Sequence, residues 1–161
     1  MSKIMFFNIP AHGHTNPTLA LVSELASRGH SIFYYSSLKF QKDIEAAGAV
    51  FMDIGSSELP QPTDEDGDKI GSDLGYAAGL IVDMTLALDE RISKDIADIK
   101  PDCIVADSVA YWGKLAAKKF SLPFVSSTTT FAFNRYSAGA ISRPKGGMLK
   151  MLLHDGILDY P

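Results

Sequence analysis

Residues 4 to 25, IMFFNIPAHGHTNPTLALVSEL, run from a buried strand into a primed helix start across one short turn, and that join most restricts what the chain can fold into. Ile4 to Ile9 is a nearly all-apolar run rich in strand formers, as expected of a parallel strand covered on both faces. Pro10 ends it. Asn16 can accept a hydrogen bond from the first free helical N–H groups, and Pro17 fits the first helical position because its missing N–H would have had no partner there. The sequence therefore predicts a helix from about Asn16. The preceding loop, Pro10 to Thr15, lies at the carboxyl end of a strand, the edge where open α/β sheets bind ligands. His12 and His14 are both on it.

Strand and helix signals alternate along the chain. Leu19, Val22, Leu25 and Ala26 form the apolar stripe of a first helix ending near Arg28, with Gly29 suited to a left-handed stop. Strands are expected at Ser31 to Tyr35, Ala49 to Ile54, Asp102 to Asp107 and Pro123 to Ser127. Helices are expected at Leu38 to Ala47, Leu74 to Ile99 and Ala110 to Phe120. Gly55 to Gly75, acidic and rich in Pro and Gly, reads as a surface loop. Strands separated by helices at this spacing indicate right-handed βαβ units, so the fold class is α/β: a Rossmann-like parallel sheet with helices on both faces. Winding outward through the first three strands and returning beside the first predicts the order 3-2-1-4-5, with the switch point between strands one and four.

With 46% hydrophobic residues in 161, the chain can bury one substantial core, and a single domain is expected. A net charge of -4 and a pI near 5.5, without a Lys/Arg run, argue against a nucleic-acid partner. The amino terminus carries only Lys3 before an apolar run too short for a signal-peptide core, so the expected location is the cytoplasm, with no membrane span. The lone cysteine, Cys103, sits in the strand-like run CIVAD and reads as a buried inert thiol.

The predicted topology brings two polar residues to one crevice. His14 follows strand one and Asp107 ends strand four, 93 positions later. His14 could act as a general base, with Asp107 orienting the ring and stabilising the imidazolium formed as it takes a proton. Spacing alone leaves the plainer reading equally open: His14 as a loop-capping residue and Asp107 as the N-cap of the next helix. His12 is the competing base. No Cys, His or Glu spacing completes a metal site around His-X-His, and PAHGHTNP lacks the glycines of a dinucleotide or phosphate loop, so neither a metal nor a cofactor is expected. The substrate-binding candidates on the first loop are His12, Gly13 and Thr15. At the other strand ends they are Trp112, Ser127 and Thr128 within SSTTT, and then Phe131 and Phe133; the hydroxyls could bond a ligand, and the aromatics could line an apolar pocket or pack in the core.

The run FFNIPAHGHTNPTLALVSELASRGHSIFYYSS closely resembles the start of bacterial macrolide-type glycosyltransferases, relatives of the UDP-glucuronosyltransferases and plant flavonoid glucosyltransferases. PDCIVADSVAYWGKLAAKKFSLPFVSST, residues 101 to 128, resembles that family's strand, Asp, helix, strand segment. The resemblance implies that His14, in the position of the His of G-H-x-x-P, is the base and that Asp107 is its partner. It also implies a GT-B enzyme, inverting and metal-independent, that moves a sugar from a UDP-sugar to a hydroxyl of a small apolar acceptor such as a macrolide or polyphenol. The family's donor-binding motif is not found before Pro161, and the closing MLKMLLHDGILDYP has no visible packing partner. The expectation is therefore a truncated acceptor domain, inactive by itself, whose exposed inter-domain face favours self-association. A free-standing small-molecule binding module and a partner-binding fragment are the alternatives.

Overall fold

In the computed structural model, residues 1–55 and 73–129 are described. β1 (Lys3–Phe7), β2 (Ser31–Ser36), β3 (Val50–Asp53), β4 (Cys103–Asp107) and β5 (Phe124–Ser127) form one parallel sheet in the order β3-β2-β1-β4-β5. This is the order expected from the alternation of strands and helices. Because side chains alternate along a strand, β1 supplies two cores. Met5 and Phe7 pack with Ile104 against α3 (Leu74–Ile99) and α4 (Tyr111–Lys119), through Leu88, Ile92 and Trp112. Ile4 and Phe6 pack with Ile32 and Tyr34 against α1 (His12–Ser27) and α2 (Gln41–Ala46), through Val22 and Ile44. Helices thus cover both faces. The register Phe6↔Tyr34 stacks those two rings at 4.9 Å between centroids, almost parallel.

Two boundaries differ from expectation. The first helix begins at His12, with extended Ala11 as its N-cap, and not near Asn16. Pro17 therefore lies inside the helix, where its missing N–H forfeits one intrahelical bond. Tertiary contacts carry the helix across that defect: Thr15 is fully buried, and the Asn8 side-chain amide donates to the His14 carbonyl at 2.6 Å. The second helix is split into a 3-10 turn, Leu38–Phe40, and α2. Gly29 does take the left-handed conformation expected of it, φ 85°. Of the acidic stretch read as a surface loop, residues 56–72 lie outside the described residues; Asp73 caps α3, its carboxylate accepting from the Tyr76 N–H at 3.1 Å.

Candidate active site

β1 and β4 are neighbours, with Phe7 opposite Ala106, so the residues just past their carboxyl ends meet at the switch point. The early start of α1 turns the expected loop histidines into first-turn residues and puts His14 over the end of β4. His14 Nδ1 lies 2.8 Å from Asp107 Oδ2. The His14 side chain is 23% exposed, while that of Asp107 has no exposure at all. Asp107 does more than face the histidine. Its Oδ1 accepts from the Val109 N–H at 2.9 Å, holding the turn before α4, whose N-cap is Ala110. The turn-capping role and the histidine contact are therefore served by different oxygens of one carboxylate. Thr129, just beyond β5, donates its hydroxyl to Asp107 Oδ2 at 2.8 Å and lies 3.0 Å from His14 Nδ1.

Burial would raise the Asp107 carboxyl, but hydrogen bonds from His14, the Val109 N–H and Thr129 outweigh it and hold the group below the ordinary value of 3.8. An ionised carboxylate only accepts, so the proton of the 2.8 Å contact belongs to Nδ1. That leaves the Nε2 lone pair available, with no hydrogen-bond partner among the described residues. Chemically, this is an imidazole set to take a proton at Nε2 with a fixed negative charge behind it.

A second, uncharged network supports the histidine from below. Asn8 Nδ2 donates both to the His14 carbonyl and to the Tyr34 hydroxyl, the latter at 2.8 Å. Tyr34 and Thr18 are 2.7 Å apart, and the Thr18 hydroxyl donates to the Thr15 carbonyl at 2.7 Å. Since Thr18 has spent its one proton, the tyrosine donates to it, and the whole relay runs in one direction. Asn8 and Tyr34 are both fully buried, and burial pushes the Tyr34 phenol above its ordinary value despite its bonds with Thr18 and Asn8.

No family model matches the chain. Among curated proteins, it is 34% identical over 134 residues to the NDP-glycosyltransferase YjiC of Bacillus licheniformis, covering 83% of this chain and 34% of that protein. It is 31% identical over 125 residues to the oleandomycin glycosyltransferase of Streptomyces antibioticus, covering 78% of this chain and 29% of that one. Over most of its own length the chain is thus similar to bacterial glycosyltransferases, macrolide-modifying ones among them. Among solved structures, the calicheamicin glycosyltransferase CalG4 matches with a TM-score of 0.66 at 26% identity, over 100% of this chain and 38% of that one. The sheet is that of the N-terminal half of a GT-B glycosyltransferase. The chain spans about a third of the length of the curated relatives it matches.

Within this glycosyltransferase fold, the other expected site residues are placed unequally. His12 is exposed at the first position of α1, its ring edge-on to Phe40 at 4.9 Å, apart from the carboxylate. Gly13 is exposed beside open space, for a Cβ built there meets nothing within 4 Å. Ser127 is half-buried opposite Asp107 in the strand register, and Thr128 is exposed. Thr15 and Trp112, expected to face an acceptor, are respectively 0% and 2% exposed. The reason is packing: Thr15 lies on the sheet side of α1, and Trp112 is part of the core between α4 and the sheet. Phe131 and Phe133 lie outside the described residues. Cys103 is half-buried, and burial, then Asp102, pushes its thiol up. Among the described residues no cluster of His, Cys, Asp or Glu could hold a metal ion, and no helix is long and apolar enough to cross a membrane. Asn8 and Thr129 were not anticipated. A polar residue ending an apolar strand was a signal for the first, and the SSTTT run contained the second.

Proposed function

We propose that this chain is the acceptor-binding part of an inverting glycosyltransferase in which His14 is the general base and Asp107 its partner. The observation that carries this reading is the 2.8 Å contact between His14 Nδ1 and the buried Asp107 carboxylate, which leaves Nε2 free beside the switch-point edge. The acceptor O–H proton passes to Nε2 as the oxygen attacks the anomeric carbon of a UDP-sugar, and the sugar–phosphate bond breaks with its electron pair leaving on UDP. Attack opposite the leaving group inverts the anomeric centre. Asp107 stays ionised and stabilises the imidazolium. The acceptor is a small apolar molecule with a hydroxyl, a class supported by relatives named oleandomycin glycosyltransferase, demethyllactenocin mycarosyltransferase and, in Gentiana triflora, anthocyanin 3'-O-beta-glucosyltransferase. The open space beside exposed Gly13 allows that acceptor to approach the first turn of α1.

The test is steady-state kinetics in the active full-length enzyme. His14→Ala is expected to lower turnover by roughly 10²- to 10⁴-fold, the general-base contribution, and Asp107→Asn to lower turnover while sparing acceptor binding. His12→Ala costs less. A dead His12→Ala beside an active His14→Ala refutes the assignment.

A further inference from the structure

We propose that Thr129 is a positioning residue of the His14–Asp107 pair, holding the carboxylate in place and the imidazole in its Nδ1–H tautomer. The proposal rests on His14 as the base and names a part of the apparatus outside the pair itself. Its basis is that one hydroxyl reaches both partners, with Oγ1 at 2.8 Å from Asp107 Oδ2 and 3.0 Å from His14 Nδ1.

A threonine hydroxyl has one proton and two acceptor lone pairs. Asp107 is acceptor-only when ionised, so the Thr129 proton goes to Oδ2, and the contact with the ring must then be an N–H donated to Oγ1. The Nδ1–H accordingly sees two acceptors, Oδ2 and Oγ1, and no donor. In the opposite tautomer, with its proton on Nε2, the bare Nδ1 would face Oδ2 and the single Thr129 proton could satisfy only one of those two acceptors; such a ring would also be useless as a base at Nε2. Thr129 also completes the clamp on the carboxylate. Oδ1 is held by the Val109 N–H and Oδ2 by the Thr129 hydroxyl, so neither end can turn away from His14. Without Thr129, Oδ2 is left to the His14 N–H alone, so nothing outside the pair fixes that end of the carboxylate. The supporting element is short and well anchored: Ser127 pairs with Asp107 in the sheet, the Ser108 N–H donates to the Ser127 carbonyl at 2.9 Å, and Thr129 follows two residues later.

Thr129→Val keeps the side-chain shape and removes only the hydroxyl's bonds. In the active full-length enzyme it is expected to lower kcat about tenfold, the worth of one charge-assisted hydrogen bond, with the acceptor KM within about twofold. Thr129→Ser is expected to restore kcat. The decisive readout is the ¹⁵N spectrum of His14 at alkaline pH, assigned with His14→Gln. In the native protein Nδ1 carries the protonated signature and Nε2 the lone-pair signature. In Thr129→Val the two shifts move toward one another as the Nε2–H tautomer gains population, and Ser reverses this. Unaltered spectra in Thr129→Val overturn the proposal, whatever happens to kcat. So does a loss of turnover that Ser does not restore, which assigns Thr129 to packing. If His14→Ala retains turnover, the base reading fails separately, and the spectra still decide whether Thr129 sets the tautomer.

Discussion

Tyr34→Phe isolates the network beneath His14, because the ring keeps its stacking on Phe6 and only the buried hydroxyl is lost. Thr18 retains its bond to the Thr15 carbonyl, so its share of the loss is small. The Asn8 amide fares worse. One N–H still reaches the His14 carbonyl, while the other, fully buried, is left without an acceptor. An unpaired buried donor costs about 1–3 kcal/mol, so the substitution is expected to destabilise the domain by about 2 kcal/mol. Urea unfolding can be followed by the fluorescence of Trp112, the one tryptophan of the chain, which lies 2% exposed in the core on the opposite face of the sheet and so reports global unfolding. With a slope of about 2 kcal/mol per molar urea, the midpoint falls by about 1 M at unchanged slope. Asn8→Ala removes the bonds to His14, Tyr34 and the Ile9 N–H and is expected to cost about 3 kcal/mol. The double variant costs less than the sum, since the Asn8–Tyr34 bond is lost only once, with a coupling of about 1 kcal/mol. A Tyr34→Phe midpoint indistinguishable from the native one, or strict additivity with Asn8→Ala, refutes the relay as drawn.

Asp107 has a folded-state pKa below its ordinary 3.8, so the stability it contributes is fully present above the unfolded value and is lost as pH falls through the folded one. Urea midpoints measured from about pH 6 down to 2 should show this acid loss in the native protein and a weaker one in Asp107→Asn; parallel curves would contradict it. Gly113→Ala places a Cβ 2.7 Å from that of Ala106 and 3.0 Å from the Phe7 ring. Overpacking of about 1–3 kcal/mol outweighs a helix-propensity gain of about 1, so thermal unfolding should begin earlier. A stabilised Gly113→Ala would mean that α4 can stand off the sheet.

The pairing of His14 with Asp107 was legible in the sequence because topology supplies its frame: alternating strands and helices set the strand order, and the order makes the ends of β1 and β4 neighbours. The start of α1 was not legible. Asn16 and Pro17 are a strong local signal, yet Asn8 and the buried face of Thr15 hold the chain helical from His12, and no local propensity encodes contacts made by a different element. Trp112 could have been placed. It is spaced with Gly113, Ala116 and Ala117 along the buried face of α4, so helical periodicity assigns it to the core where residue type alone leaves both faces open. The choice among the SSTTT hydroxyls depends on parity. Ser127, whose partner is Asp107, is half-buried; Thr129, in the bend two residues past the strand, is half-buried too and reaches the carboxylate, while Thr128 between them is exposed. Which parity faced the carboxylate required the register of β5 against β4, and register is set by the packed sheet. A hydroxyl one position away has the same composition and the same propensity, yet only the one at Thr129 reaches both His14 and Asp107.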